Sequence, residues 1–380
     1  MTITRCCHIA ITAALCIATH LSAQTEWPRV VATPGVSISA ESANLSALSF
    51  VSVSRNGTIA VGQPQDSRVR FFSPMGADLG SFGRHGAGPG EIGYLSPTIS
   101  VWSGDSLWVG DNALQRWTLI TPSRTLAKTI KPPTYLTFQR SPGVPVRIGG
   151  SWLRGVVGGD TLLAVGMRID DDRKYWGAAV RMRLDGTPLG IVGEALSDGN
   201  RSDCTMVGSS RPGLAVAIPY CPISNMVFAP SGDRIVFTSV TLAQQSRGAF
   251  TLTVLRSNGD TIRSHEYLVP TDVLDAKEFD AKVSAFPTQV SAGLKGARAP
   301  GRYPPASSAL MGWDGSVWIG QEGKTDRLWV IIDSAGREAG QFRIPKSVHL
   351  WSVGTDKVWG VSEAENGAES VVSYVVAWRH

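Results

Sequence analysis

A chain of 380 residues, 43% of them hydrophobic, can bury a sizeable core and holds either two average domains or one large all-β domain. Only 18% of the residues are charged, while 41 glycines and 22 prolines give a strand-and-turn composition. The net charge of +5 is scattered with no long Lys/Arg run, which argues against a nucleic-acid-binding stripe.

In chain order, residues 1–24 read first as a signal peptide. Arg5 supplies the positive start, residues 9–18 form an apolar run without acids, and the small polar stretch Ser22-Ala23-Gln24 suits cleavage. The run is too short to span a bilayer comfortably. Cys16 follows Ala13-Ala14-Leu15, a poor lipoprotein box because Leu adjoins the Cys. The expectation is an exported chain, periplasmic or extracellular, with no transmembrane segment beyond the signal and one domain over 25–380. Export leaves Cys204 and Cys221 in the mature chain, and two cysteines in an oxidising compartment commonly pair. Such a bridge contributes roughly 3 kcal/mol on the chain-entropy model. Two buried free thiols are the alternative.

Beyond the signal, residues 30–32 and 36–39 are short apolar strands without a neighbouring partner. Six copies of one pattern follow, in which a polar turn leads into a short apolar strand. The copies are Asn56-Gly57-Thr58-Ile59, Gly104-Asp105-Ser106-Leu107, Gly159-Asp160-Thr161-Leu162, Gly232-Asp233-Arg234-Ile235, Asp314-Gly315-Ser316-Val317 and Thr355-Asp356-Lys357-Val358. These turn pairs favour positive φ, which tight hairpins need. The apolar runs after them suit strands covered on both faces. A third strand and usually a fourth come next, as at 69–72 and 79–82, 116–120 and 126–130, or 328–332 and 341–342. Third strands also fall at 180–184 and 252–255.

Four strands per copy describe a propeller blade. The sixth copy ends after its third strand, 371–376, and the unassigned N-terminal strand can supply the fourth. The fold class is therefore all-β, a six-bladed β-propeller of four-stranded antiparallel blades closed by an N-terminal strand, which hides an exposed edge. Long loops interrupt the rhythm at 198–219 and 265–303. In the second, Thr271-Asp272 can cap a short helix carrying Phe279, Val283 and Phe286 on one face, or the stretch is an irregular loop.

Residues 45–94 resemble an NHL repeat, a family of six-bladed propellers. The likeness rests on Asn56-Gly57-Thr58-Ile59-Ala60-Val61, Arg68-Val69-Arg70-Phe71-Phe72 and Gly80-Ser81-Phe82-Gly83. The glycine-rich tail Gly83-Arg84-His85-Gly86-Ala87-Gly88-Pro89-Gly90-Glu91 looks like those of exported bacterial propellers of the NHL and TolB-like kind. Gln63 replaces the acidic residue usual after the second strand, so no metal role carries over there. The second copy keeps Trp-Val-Gly-Asp at 108–111. The family includes scaffolds, sensors and a few enzymes, so the resemblance implies a fold more than an activity.

Catalytic motifs are absent: no nucleophile elbow, no phosphate loop and no spaced Cys/His set occur. His85, His265, His349 and His380 are dispersed, and Asp170-Asp171-Asp172 lacks calcium-ligand spacing. Propellers place ligands at the mouth of the central channel, on segments just ahead of each innermost strand. Those segments hold Tyr94, Trp152, Tyr220, Tyr303, His349 and Trp351, side chains that suit a pocket or a plug. Arg84, His85 and Glu91 offer polar handles on the glycine-rich loop, or pair within it. The expected role is a non-catalytic scaffold for a protein or small-molecule ligand. No cofactor, metal or nucleic-acid partner is expected, and the chain is expected to be a monomer. The alternative is a metal-assisted hydrolase or lyase using His85, Glu91, His349 and Asp111, which requires them to converge.

Overall fold

A computed structural model of the chain describes residues 27–141, 144–169, 175–196, 205–207, 215–222, 224–241, 247–354 and 356–377. The signal segment 1–24, Cys204, Asp170-Asp171-Asp172 and His380 lie outside the described residues. After β1 (Val31–Ile38) and the short α1 (Ala40–Ala43), blade 1 comprises β2 (Phe50–Val53), β3 (Ile59–Gln63), β4 (Arg68–Phe72) and β5 (Asp78–Phe82). Blade 2 comprises β6 (Leu95–Ser103), β7 (Ser106–Asp111), β8 (Arg116–Ile120) and β9 (Leu126–Ile130). Blade 3 comprises β10 (Tyr135–Ser141), β11 (Val144–Gly158), β12 (Thr161–Ile169), β13 (Tyr175–Arg183) and β14 (Pro188–Leu196). A small ribbon of β15 (Thr205–Val207) and β16 (Ala215–Ala217) follows.

Blade 4 holds β17 (Met226–Phe228), β18 (Arg234–Thr241), β19 (Arg247–Arg256) and β20 (Thr261–Pro270). Then come α2 (Ala276–Ser284) and α3 (Thr288–Gly293), ahead of blade 5 with β21 (Ser308–Met311), β22 (Val317–Glu322), β23 (Asp326–Ile332) and β24 (Glu338–Pro345). Blade 6 is β25 (Val348–Val353), β26 (Lys357–Glu363) and β27 (Glu369–Ala377), completed on its outside by β1. Val31 pairs with Ala377 and Ile38 with Val371, so the N-terminal strand closes the ring.

Local chemistry accounts for the blades. The first hairpin turns through Gly57 at φ 86° and the fifth through Gly315 at φ 80°, backbone that a side chain resists. Second strands are covered on both faces, and Ile59, Ala60 and Val61 are all 0% exposed. Outer strands alternate, as β20 does with Tyr267 and Val269 inward. The first strands meet round the axis: β2 touches β6 and β25, β6 touches β11, and β21 touches both β17 and β25. Six apolar clusters fill the six wedges between successive blades. Each sheet thus buries both faces against its neighbours rather than around one central core.

Two local features differ from the sequence reading. Blade 3 carries a fifth strand, because the long β11 pairs with β10 through its first half and with β12 through its second; Gly149 faces both Tyr135 and Met167. The helix after blade 4 starts later than expected, capped by Asp275, whose carboxylate accepts from the Lys277 N–H at 2.9 Å. Thr271-Asp272 is spent otherwise. Asp272 accepts from the Tyr303 N–H at 3.1 Å, and Val273 bridges to Arg302, so this stretch pairs with the returning chain. Phe279 is buried as expected, but Phe286 falls beyond the helix end.

Candidate functional site

The loops that lead into each innermost strand, with those joining second to third strands, gather on one face of the ring. Here the sequence-expected residues fall into separate groups. Arg84, His85, Glu91 and Tyr94 sit on the segment between β5 and β6. Its glycines are structural: Gly83 and Gly90 have φ of 96° and 75°, and a Cβ on Gly86 would lie 2.2 Å from Glu91 Oε2. The Glu91 carboxylate therefore folds under the loop, accepting from the Gly88 N–H at 2.8 Å and from Arg84 Nε at 3.0 Å. Those bonds, the Gly88 one foremost, hold its pKa below the ordinary value. His85 Nδ1 stands 3.4 Å from Ser67 Oγ. Tyr94 is half exposed.

Asp111 and Arg116 secure this loop from blade 2. Asp111 is 4% exposed and accepts from the N–H groups of Gly93, Tyr94, Ala113 and Leu114 at 2.8–3.1 Å. Arg116 donates to the carbonyls of Ala87, Gly88 and Glu91, and its Nε lies 3.6 Å from Asp111 Oδ2. The acid kept from the Trp-Val-Gly-Asp pattern is thus a backbone clamp. Beside it, between blades 2 and 3, lies a cavity of about 310 Å3, lined by the half-buried Trp152, by Trp117 and Ile99, which are only 2% exposed, and by Asn112 and Gln115.

Tyr220 and Tyr303 come together elsewhere, beside α2, and His349 does not join them. The organising group is Glu278, which the sequence reading did not single out. Tyr220 Oη donates to its Oε1 at 3.2 Å, Tyr303 Oη donates to its Oε2, and Lys346 Nζ donates to Oε1 at 2.7 Å. The two phenol rings meet edge to face at 5.4 Å, and Lys346 Nζ lies 5.4 Å from the Tyr303 ring centre. Burial and the Glu278 charge push Tyr220 up to about 12 and Tyr303 higher still. Burial pushes Glu278 upward too, but the Lys346, Tyr303 and Tyr220 hydrogen bonds outweigh it and leave the carboxyl below its usual range.

Next to this cluster, Arg327 Nε donates to Glu322 Oε1 at 3.0 Å and Arg327 Nη1 donates to the Val348 carbonyl at 2.7 Å. Arg327 Nη2 stands 3.4 Å from His349 Nε2. Burial and the Arg327 cation depress the His349 pKa.

Two of the expected residues pack among apolar clusters. Tyr303 is 1% exposed, so its ring has no face left for a ligand; it fills the cluster with Leu274 and Phe279. Trp351 packs against the clusters on both sides of blade 1. Trp152 is only half-buried and lines the cavity. The sequence reading also missed Asn112, Gln115 and Lys346. The polar turn straight after Asp111 was a usable signal for the first two; nothing near Lys346 announced its partner. Among the described residues there is no grouping of three or more His, Cys, Asp or Glu suited to a metal. Among them, too, no helix is long and apolar enough to cross a membrane.

No protein-family profile matches the chain, and no curated protein matches it. Solved structures do. A member of the DUF4221 family from Bacteroides vulgatus aligns over 93% of this chain and 100% of its own, at 9% identity and a TM-score of 0.47. Virginiamycin B lyase from Staphylococcus aureus aligns over 92% and 100%, at 10% identity and 0.39. The calcium-binding protein regucalcin from Agrobacterium tumefaciens aligns over 88% and 92%, at 11% identity and 0.37. At these identities the likeness concerns the fold alone.

Proposed function

We propose that the chain is an exported, monomeric, non-catalytic propeller of the NHL and TolB-like kind, a scaffold that binds a small molecule or protein through its loop face. The observation that carries this reading is how the ionisable groups of that face are used. Glu278 is held by three donors, Asp111 by four backbone N–H groups, and Glu91 by Arg84 and Gly88. A general base needs a free lone pair near its substrate, and these carboxylates are committed to holding loops. His85 and His349 engage Ser67 and Arg327 on different blades, so the groups a hydrolase or lyase would use have separate partners. The half-exposed Tyr94, the half-buried Trp152 and the exposed Asn112 and Gln115 add aromatic and amide surface, which suits binding.

The same reading assigns 1–24 as a cleaved signal and 25–380 as one domain. It pairs Cys221 with Cys204, supported by Cys221 being 7% exposed. Mass spectrometry of the secreted chain tests both, since loss of residues 1–23 or 1–24 and a linked Cys204–Cys221 peptide are expected. Function is tested by thermal-shift screening of the mature chain against saccharides, nucleosides and peptides, with each hit recovered and analysed. A hit that raises the melting temperature and returns intact supports a scaffold. A hit that is consumed makes the protein an enzyme, and no hit in any class removes the reading.

A further inference from the structure

The cavity between blades 2 and 3 is lined by two kinds of surface. The half-buried Trp152 supplies aromatic surface, Trp117 and Ile99 reach the wall but are only 2% exposed, and the turn between β7 and β8 supplies the exposed Asn112 and Gln115. We propose that this cavity is a subsite for one ring of a neutral carbohydrate. The proposal rests on the scaffold reading above and gives it a ligand class.

Charge is the first argument. The charged groups at the cavity wall, Asp111 and Arg116, lie 3.6 Å apart and are occupied by the loop ahead of blade 2. An ionic ligand finds no free countercharge there, and desolvating its charge would go uncompensated. Neutral hydrogen-bonding groups are available instead. Gln115 Nε2 donates to the Asn112 carbonyl at 2.6 Å, which fixes the side chain and leaves its Oε1 as an acceptor. The Asn112 side-chain amide is exposed, and the half-buried Trp152 brings its indole to the cavity. A sugar hydroxyl both donates and accepts, so it can serve the amide, the carbonyl oxygen and an indole N–H alike.

Shape is the second argument. A pyranose has an apolar C–H face and a hydroxyl rim, and the cavity lining offers both the Trp152 indole and the amides of Asn112 and Gln115. Its 310 Å3 lies at the small end of ligand pockets, which run roughly 300–1,000 Å3, so it suits one small ring. The site is also preformed. Gly150 has φ 70°, and a Cβ there would lie 2.9 Å from Trp152 Cη2, so only glycine leaves the indole its place. Asp111 fixes the turn that carries Asn112 and Gln115 through the Ala113 and Leu114 N–H groups at 3.1 Å. Little ordering remains to be done on binding.

The test is a glycan array carrying neutral and anionic saccharides, followed by calorimetric titration of the best neutral hit into wild type, Asn112→Ala and Trp152→Ala. Nucleosides and peptides are titrated in parallel. A neutral saccharide should bind, with about tenfold weaker affinity in Asn112→Ala and no detectable binding in Trp152→Ala. Asn112 is exposed, so its variant decides the matter if Trp152→Ala does not fold. Neutral-sugar affinity unchanged in Asn112→Ala overturns the subsite. Binding only of anionic sugars, nucleosides or peptides overturns the ligand class. Both results leave the scaffold reading standing, whereas silence from every class removes it as well.

Discussion

At the residue scale, Glu278 shows how one carboxylate can organise several neighbours. Removing the Tyr303 hydroxyl deletes a hydrogen bond to a charged acceptor, so Tyr303→Phe should lower stability by about 1–3 kcal/mol in urea denaturation while the ring still fills its place. Linkage gives the pH dependence its sign. The folded pKa of Glu278 is below its unfolded value near 4.5, so its contribution is present above that pH and is lost as pH falls through the folded value. His349 is depressed from 6.5, so acid costs stability there too, beginning at a higher pH. Glu278→Gln should therefore flatten the stability–pH curve below about 4.5 and leave the limb near 6.5 unchanged. A curve that keeps its full acid slope in this variant would place the titration elsewhere.

At the element scale, the closing strand carries more than its own hydrogen bonds. β1 covers the edge of β27, and the residues before it strap neighbouring blades: Gln341 exchanges bonds with Pro28 and Val30, while Trp27 Nε1 donates to the Leu268 carbonyl. Trp27 is 2% exposed, so Trp27→Ala should cost about 3–5 kcal/mol. Deleting residues 27–38 should leave β27 as an open edge and drive association. Light scattering after gel filtration checks this, and a monomer with an unchanged melting temperature would refute it. That β1 completes the ring was legible from a count of strands, because the sixth copy stopped one short. The fifth strand of blade 3 was not, since β10 and β11 form a hairpin outside the repeat and share no turn motif with it.

At the scale of the whole molecule, stability resides in the wedges between blades. Gly232 shows how close they stand: a Cβ there would lie 2.2 Å from the Val156 carbonyl oxygen of blade 3, at φ 74°. Gly232→Ala should cost about 2–4 kcal/mol, the sum of left-handed strain and overpacking between blades, as measured by thermal or urea unfolding. Wild-type stability in this variant would mean that the blades can part here without loss.

The sequence by itself determined the strand rhythm, the number of blades and the turns that join their first two strands, because these depend on near neighbours. Asn56-Gly57 or Asp314-Gly315 makes a tight hairpin wherever it sits, and the apolar run after it requires cover on both faces. It also determined which segments lead into each innermost strand. Only the tertiary structure decided what the side chains there do. Tyr220, Tyr303, Glu278 and Lys346 come from four distant points of the chain, and no local pattern links them. The same holds for Trp152 and Asn112, which share a cavity only because blades 2 and 3 are wedged together. A site assembled across blades depends on how sheets stack, and sheet stacking is set by the closed ring rather than by any one repeat.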